Sequence, residues 1–244
     1  RRFYVATTFG ADPLLARGRI AQVVGPGGLL LTGTVDLVMN EDASQAVAAR
    51  NVVTAIGPDG GIRGSYAKAH LVPYGEYLAL RWLLEPLGAT RLVAGAIDFI
   101  PGPGPRTLDL GRWGQAGMQI CYEIVFAGQV VDRANRPDYI FNPSNDGWFG
   151  KFGPPQHLAQ ARMRAIEEGL PVLRATVSGI SAVIDANGVV RDHLPTSFTG
   201  GRMDARVPPA LEPTWFSRLG NPLSLGWGLL LFALSLLVRR RIGG

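Results

Sequence analysis

The chain has little sulfur, little histidine and little charge. Its 244 residues hold one cysteine, Cys121, so no disulfide can form within the chain, and cysteine usage does not identify a compartment. The three histidines, at positions 70, 157 and 193, are dispersed, and with a single thiol they make no ligand cluster. No metal and no cofactor is expected. No internal repeat is visible, which excludes a solenoid or propeller. Charged residues are only 18% of the chain. The net charge is +5, and Arg239, Arg240 and Arg241 alone supply three of those five charges. A basic pI of 9.8 is therefore no argument for nucleic acid, and no nucleic-acid partner is expected.

What is present is apolar, at 47% hydrophobic residues. At 26.1 kDa the chain can bury one large core or two modest ones. Part of the excess is local, because residues 219–238 carry no charge. Twenty helical residues at about 1.5 Å each span about 30 Å, the thickness of a bilayer's hydrocarbon core. A soluble helix of this kind would need partners on every face. The three arginines follow at once and read as a cytoplasmic flank, with the main body across the membrane. The chain opens Arg1-Arg2-Phe3, without a methionine or signal peptide, and is expected to be the C-terminal part of a longer protein.

Strands and helices alternate along the body, which suggests a layered α/β architecture. Strands are expected at 29–35, 51–56, 62–68, 116–121, 138–141, 172–176 and 181–184, and helices at 124–135 and 156–168. Asp185-Ala186-Asn187-Gly188 is a turn between strands. Residues 211–222, with two prolines and Gly220, look like a linker.

The one thiol lies where an apolar run, Gly117-Met118-Gln119-Ile120, gives way to Cys121-Tyr122-Glu123. With a helix expected from residue 124, Cys121 falls at a strand-to-helix turn, where unpaired helix N–H groups favour a thiolate. A thiolate can attack a carbonyl and hold an acyl group. Taken alone, a lone cysteine is equally well an inert buried thiol. Lys68, in Tyr66-Ala67-Lys68-Ala69-His70-Leu71-Val72-Pro73-Tyr74-Gly75-Glu76, reads by itself as a solvated charge.

Together the segments Lys-x-His-Leu-Val-Pro-Tyr-Gly-Glu and Ile-Cys-Tyr-Glu resemble the nitrilase superfamily. More narrowly, three features resemble its apolipoprotein N-acyltransferase branch. They are Glu123 after the Cys-Tyr pair, the loop Ser144-Asn145-Asp146-Gly147-Trp148-Phe149-Gly150, and the apolar C-terminal span. The resemblance implies an α-β-β-α sandwich over residues 1–212, truncated at its start. A linker at 213–222, a transmembrane helix at 223–238 and a basic cytoplasmic tail at 239–244 would follow. It gives Cys121 the role of nucleophile and Lys68 that of oxyanion-stabilising triad lysine. Glu76, Glu123 and Tyr122 become supporting residues, and Trp148 and Phe149 a mobile aromatic pair that contacts lipid. His157 matches a family histidine and is expected to be structural, as are Arg162, Arg164 and Glu167.

The family's triad glutamate lies in a Trp-Pro-Glu segment that has no counterpart here. That glutamate is expected upstream of this chain, and the fragment alone is expected to be poorly active or inactive. The implied reaction moves a fatty acyl group from a membrane phospholipid, through a cysteine thioester, to the N-terminal amine of a diacylglyceryl apolipoprotein. The implied location is a bacterial inner membrane, with the full-length protein multi-pass and its catalytic domain periplasmic. Two alternatives stay open: a nitrilase-type amidohydrolase, and a membrane-tethered, non-catalytic nitrilase-like domain.

Overall fold

The computed structural model describes residues 13–42, 44–88, 97–148, 150–194 and 200–242. The chain opens with a helix, α1 (Pro13–Val24), followed by three strands, β1 (Leu30–Met39), β2 (Ala46–Ile56) and β3 (Ile62–Ala67). These pair antiparallel in the order β1-β2-β3. A short helix, α2 (Arg81–Leu84), precedes a second run of strands: β4 (Thr107–Asp109), β5 (Gln115–Met118) and β6 (Tyr139–Ser144). Helix α3 (Gly153–Glu168) leads to β7 (Val172–Thr176), β8 (Ser181–Ile184) and β9 (Val190–Leu194). The second sheet runs β4-β5-β6-β7-β8-β9 in sequence order, parallel across β5-β6-β7 and antiparallel at both flanks.

The two-residue period of a strand explains the layers. Along β6, Tyr139 and Phe141 face the three-stranded sheet with Val53, Ala55, Tyr66, Ala116 and Met118, while Ile140 points the other way. On that outer side Ile140 joins Val172, Ala182 and Ile184 against Ala161 and Ala165 of α3. The larger sheet is thus covered on both faces, which suits its parallel centre. On the smaller sheet, α1 packs beside β2 with Ile20 buried. Val52, Thr54 and Ile56, opposite in facing to Val53 and Ala55, are buried as well. These layers make the nitrilase-like α/β sandwich that the motifs implied.

Several local expectations shift. The strand expected at 116–121 stops at Met118, and β6 continues through Ser144 into what read as a polar loop. The helix expected at 124–135 does not form. A five-residue 3-10 turn, Cys121–Val125, stands there instead, and its C-cap Phe126 is extended. Gly128 then takes φ 71° and the Asp132 carboxylate accepts from the N–H groups of Ala134 and Asn135, so local turns replace helical bonds. Cys121 therefore has no helix terminus to favour its thiolate, because one short 3-10 turn supplies no comparable dipole.

The segment expected to be a linker contains helix α4 (Trp215–Leu219). Its N-cap Thr214 accepts from the Ser217 N–H at 2.9 Å and donates its hydroxyl to the Glu167 carbonyl at the end of α3. Asn221 donates to the Ala127 carbonyl at 3.2 Å, tying the next helix to the body at its root. That helix, α5 (Asn221–Ile242), is long and apolar enough over Asn221–Arg239 to cross a membrane, and none of that stretch is buried.

Ile140 is wholly buried between the parallel strands and α3. Ile140→Ala should therefore cost about 2–5 kcal/mol, read as an earlier thermal or urea midpoint. Val177→Ala, at a residue 79% exposed, should leave the midpoint in place. A normal midpoint for Ile140→Ala would remove that residue from the core.

Candidate functional site

Lys68 follows directly on β3, which delivers it into the interior, and only 2% of its surface is exposed. A buried ammonium needs a partner. Its Nζ donates to Glu76 Oε2 at 2.6 Å. Glu76 is held in turn by the Val72 N–H at 2.7 Å and by Asn51 Nδ2 at 2.9 Å. The loop after β3 thus folds back so that Glu76 near its end meets Lys68 at its start. The Lys68 backbone N–H donates to the Asn51 carbonyl at 2.8 Å, fixing the lysine to β2 as well.

Cys121 sits just beyond β5, half-buried, with φ 50°. This left-handed backbone costs a non-glycine residue about 1–2 kcal/mol, so its surroundings must hold it. Two groups reach its carbonyl: His157 Nε2 donates at 3.1 Å, and Asn142 Nδ2 lies at 3.5 Å. Asn142 also donates to the Gln119 carbonyl at 2.7 Å.

Glu123 joins the two motifs. One oxygen accepts from the Tyr66 hydroxyl at 2.7 Å, the Ala69 N–H at 2.7 Å and the His70 N–H at 3.1 Å. The other accepts from the Ile120 N–H at 2.7 Å, beside Cys121. One buried carboxylate therefore ties the backbone after Lys68 to the backbone before Cys121. Burial raises the Glu123 carboxyl above its ordinary range, and the four donors oppose that rise. Burial, and then the adjacent Glu123 carboxylate, push the Tyr66 phenol well above its usual value, so Tyr66 acts as a donor. Of the two supporting glutamates, Glu76 contacts the Lys68 ammonium directly, whereas Glu123 contacts the surrounding backbone and Tyr66.

Aromatic packing spans the same gap. Tyr122 meets Phe126 edge-on at 5.0 Å, and Phe126 stacks on His70 at 4.4 Å. Trp148 is 55% exposed, and its ring lies 3.5 Å from where a Gly75 side chain would begin. It thus rests against the loop that carries Glu76. Phe149 lies outside the described residues.

Beneath Cys121 the expected structural histidine, His157, belongs to a buried polar group with Asp146 and Arg174, whose joint arrangement the sequence did not show. Asp146 Oδ1 lies 2.8 Å from His157 Nδ1 and accepts from Ser144 Oγ at 2.8 Å, while Oδ2 accepts from Arg174 Nη2 at 2.6 Å. Arg174 Nη1 also donates to Asn142 Oδ1. Asp146, Arg174 and Asn142 are almost wholly buried. Burial alone would raise the Asp146 carboxyl, but the bond from His157, the Arg174 charge and Ser144 hold it below its ordinary range. The available signal was Arg174 itself, a charge within the otherwise uncharged strand Val-Leu-Arg-Ala-Thr. Arg164 pairs with Glu167 at 2.8 Å as expected, whereas Arg162 donates to the Gly188 carbonyl.

A family model described as carbon-nitrogen hydrolase matches residues 28–205. Bacterial proteins named apolipoprotein N-acyltransferase are similar in sequence. That of Bradyrhizobium diazoefficiens is 41% identical over 229 residues, covering 93% of this chain and 42% of its own length. That of Haemophilus influenzae is 36% identical over 224 residues, covering 87% of this chain and 41% of its own. The chain spans about two fifths of the length of the curated relatives it matches. Among solved structures, an amidase from Nesterenkonia sp. aligns with a TM-score of 0.56 at 16% identity, over 93% of this chain and 78% of that one. A mutant of the Nesterenkonia sp. AN1 amidase, with the acetamide moiety of fluoroacetamide added covalently at its active-site cysteine, gives 0.55 at 15% identity, over 88% of this chain and 73% of that one. At such identities the likeness is one of fold. With the sandwich in place and the family model covering most of its length, the chain belongs to the carbon-nitrogen hydrolase family.

Proposed function

We propose that this chain carries the catalytic domain of an apolipoprotein N-acyltransferase, with Cys121 as nucleophile and Lys68 as the cation that stabilises the oxyanion. The observation that carries the reading is the Glu123 junction, which ties the backbone after a buried lysine–glutamate pair to the backbone before a strained cysteine. The named relatives support the acyl-transfer chemistry, and the amidase with its cysteine covalently modified supports the thiol as the attacking group. Helix α5 favours a lipid substrate over a soluble amide, since Leu229, Leu230, Leu231 and Phe232 are all exposed along it and would need a bilayer or a partner to cover them.

In the first half-reaction the Cys121 thiolate attacks the ester carbonyl of a phospholipid. The C–S bond forms, negative charge gathers on the carbonyl oxygen opposite Lys68, and the C–O bond breaks. The lysophospholipid leaves as an alcohol, taking up one proton. In the second half the α-amine of a diacylglyceryl cysteine attacks the thioester. The C–N bond forms, the thiolate is expelled, and the amine loses a proton to a general base. The resemblance gives that role to a glutamate with no motif counterpart in this chain. Glu76 orients Lys68, and Glu123 and Tyr122 hold the two segments in register. Trp148 and Phe149 offer apolar area to the acyl chain. The catalytic body lies outside the cytoplasm, with the arginines after α5 on the cytoplasmic side.

The protein expressed from its complete gene should accumulate a fatty-acyl thioester on Cys121 when given phospholipid without acceptor, seen by mass spectrometry. Cys121→Ser should lose transfer, and Lys68→Ala should slow it by roughly 100- to 1000-fold. Acyl mass on another residue, or full activity in folded Cys121→Ala, would overturn the assignment. Glu123→Gln replaces one acceptor oxygen with a donor facing other donors. It should cost about 1–3 kcal/mol of stability and most of the activity; a variant of normal stability and rate would show that the junction is dispensable. A reporter fused after Gly244 should be active only in its cytoplasmic form, and activity confined to an exported reporter would reverse the topology.

A further inference from the structure

His157 lies on the first turns of α3, nearly buried, with one ring nitrogen toward each of two acceptors. Its Nε2 is 3.1 Å from the Cys121 carbonyl oxygen and its Nδ1 is 2.8 Å from Asp146 Oδ1. A carbonyl oxygen only accepts, so the Nε2 contact is a hydrogen bond that Nε2–H donates to Cys121. Arg174 Nη2, 3.0 Å from Nδ1, shares the same carboxylate. The carbonyl that His157 grips belongs to the residue whose φ is 50°, one of only three non-glycine residues with positive φ among those described. A backbone held in a sparsely populated region persists where its surroundings over-determine it.

We infer that His157, oriented by Asp146, is a positioning residue for the nucleophile: its Nε2–H holds the Cys121 carbonyl and so keeps the thiol aimed in the left-handed backbone. The inference rests on the reading of Cys121 as nucleophile. It also ties the aromatic loop to that residue, since Asp146 stands two positions before Trp148. Asp146 is fixed there by Ser144, by Arg174 and through its own N–H to the Ser178 carbonyl at 2.7 Å. The loop thus bears on both motifs, on Cys121 through Asp146 and His157 and on the Glu76 loop through Trp148 and Gly75.

Two polar replacements separate this hold from a merely structural tether. The amide of His157→Gln reaches about as far as Nε2 and can still donate to the Cys121 carbonyl. That of His157→Asn reaches only as far as Nδ1, keeping Asp146 and losing Cys121. In the protein from its complete gene, the rate of iodoacetamide alkylation at Cys121 is followed by peptide mass spectrometry, beside kcat, KM for phospholipid and the melting temperature. His157→Asn should slow alkylation and kcat together by about 100-fold, with KM unchanged and the protein folded. His157→Gln should recover most of both rates. Equal rates in the two variants, or losses that follow the melting temperature alone, would overturn the inference. Should Cys121→Ala retain transferase activity, the nucleophile reading fails by itself, and alkylation still decides whether His157 aims the thiol.

Discussion

The Glu123 carboxylate is the contact on which the site depends. Four donors converge on it, three from Tyr66, Ala69 and His70 and one from Ile120. The two segments it joins come from different sheets, one at the end of β3 and the other just after β5. Hydrophobic packing between the sheets brings those strand ends near each other, but packing is not directional and does not fix a register. A buried carboxylate does, because each unmet lone pair or donor there is costly. The segment that carries Lys68 and the segment that carries Cys121 are therefore held to each other through Glu123.

Two further constraints act on the same place from opposite sides. From the smaller sheet, Asn51 and the Val72 N–H fix Glu76, and Glu76 fixes the Lys68 ammonium. From the larger sheet, Asn142 on β6 and His157 on α3 reach the Cys121 carbonyl, with Arg174 on β7 bracing Asn142 and Asp146 behind them. The parallel order β5-β6-β7 is what aligns these groups, because all three strands end at the same edge of the sheet. Ligand and catalytic groups of open α/β sheets collect at such edges.

The strands were legible where short apolar runs rich in β-branched residues stood out, as in β2, β7 and β8. The helix expected after Cys121 was not, because Ile124, Val130 and Val131 are core residues whose spacing imitates a helix. What they build is a chain of turns, set by Gly128 and the Asp132 side chain and pinned by Arg164 donating to the Val125 carbonyl at 3.0 Å. Helix α4 was hidden between Pro213 on one side and Gly220 and Pro222 on the other, and Thr214, bonded at the end of α3, holds it in place.

The sequence alone determined the two motif segments, the apolar length of α5 and its basic flank. Each of these is a local property, a matter of residue type and spacing along one stretch of chain. Tertiary structure decided which acid serves which group. Glu76 and Glu123 stand in equivalent relation to the motifs in the sequence, yet one pairs with Lys68 while the other binds four donors drawn from both segments. It also decided that Asp146, His157 and Arg174 form one buried group under Cys121. These residues are separated by 11 to 28 positions and meet only because β6, α3 and β7 pack together. Hydrogen-bond partners across such separations are set by how the layers stack, which no local pattern encodes.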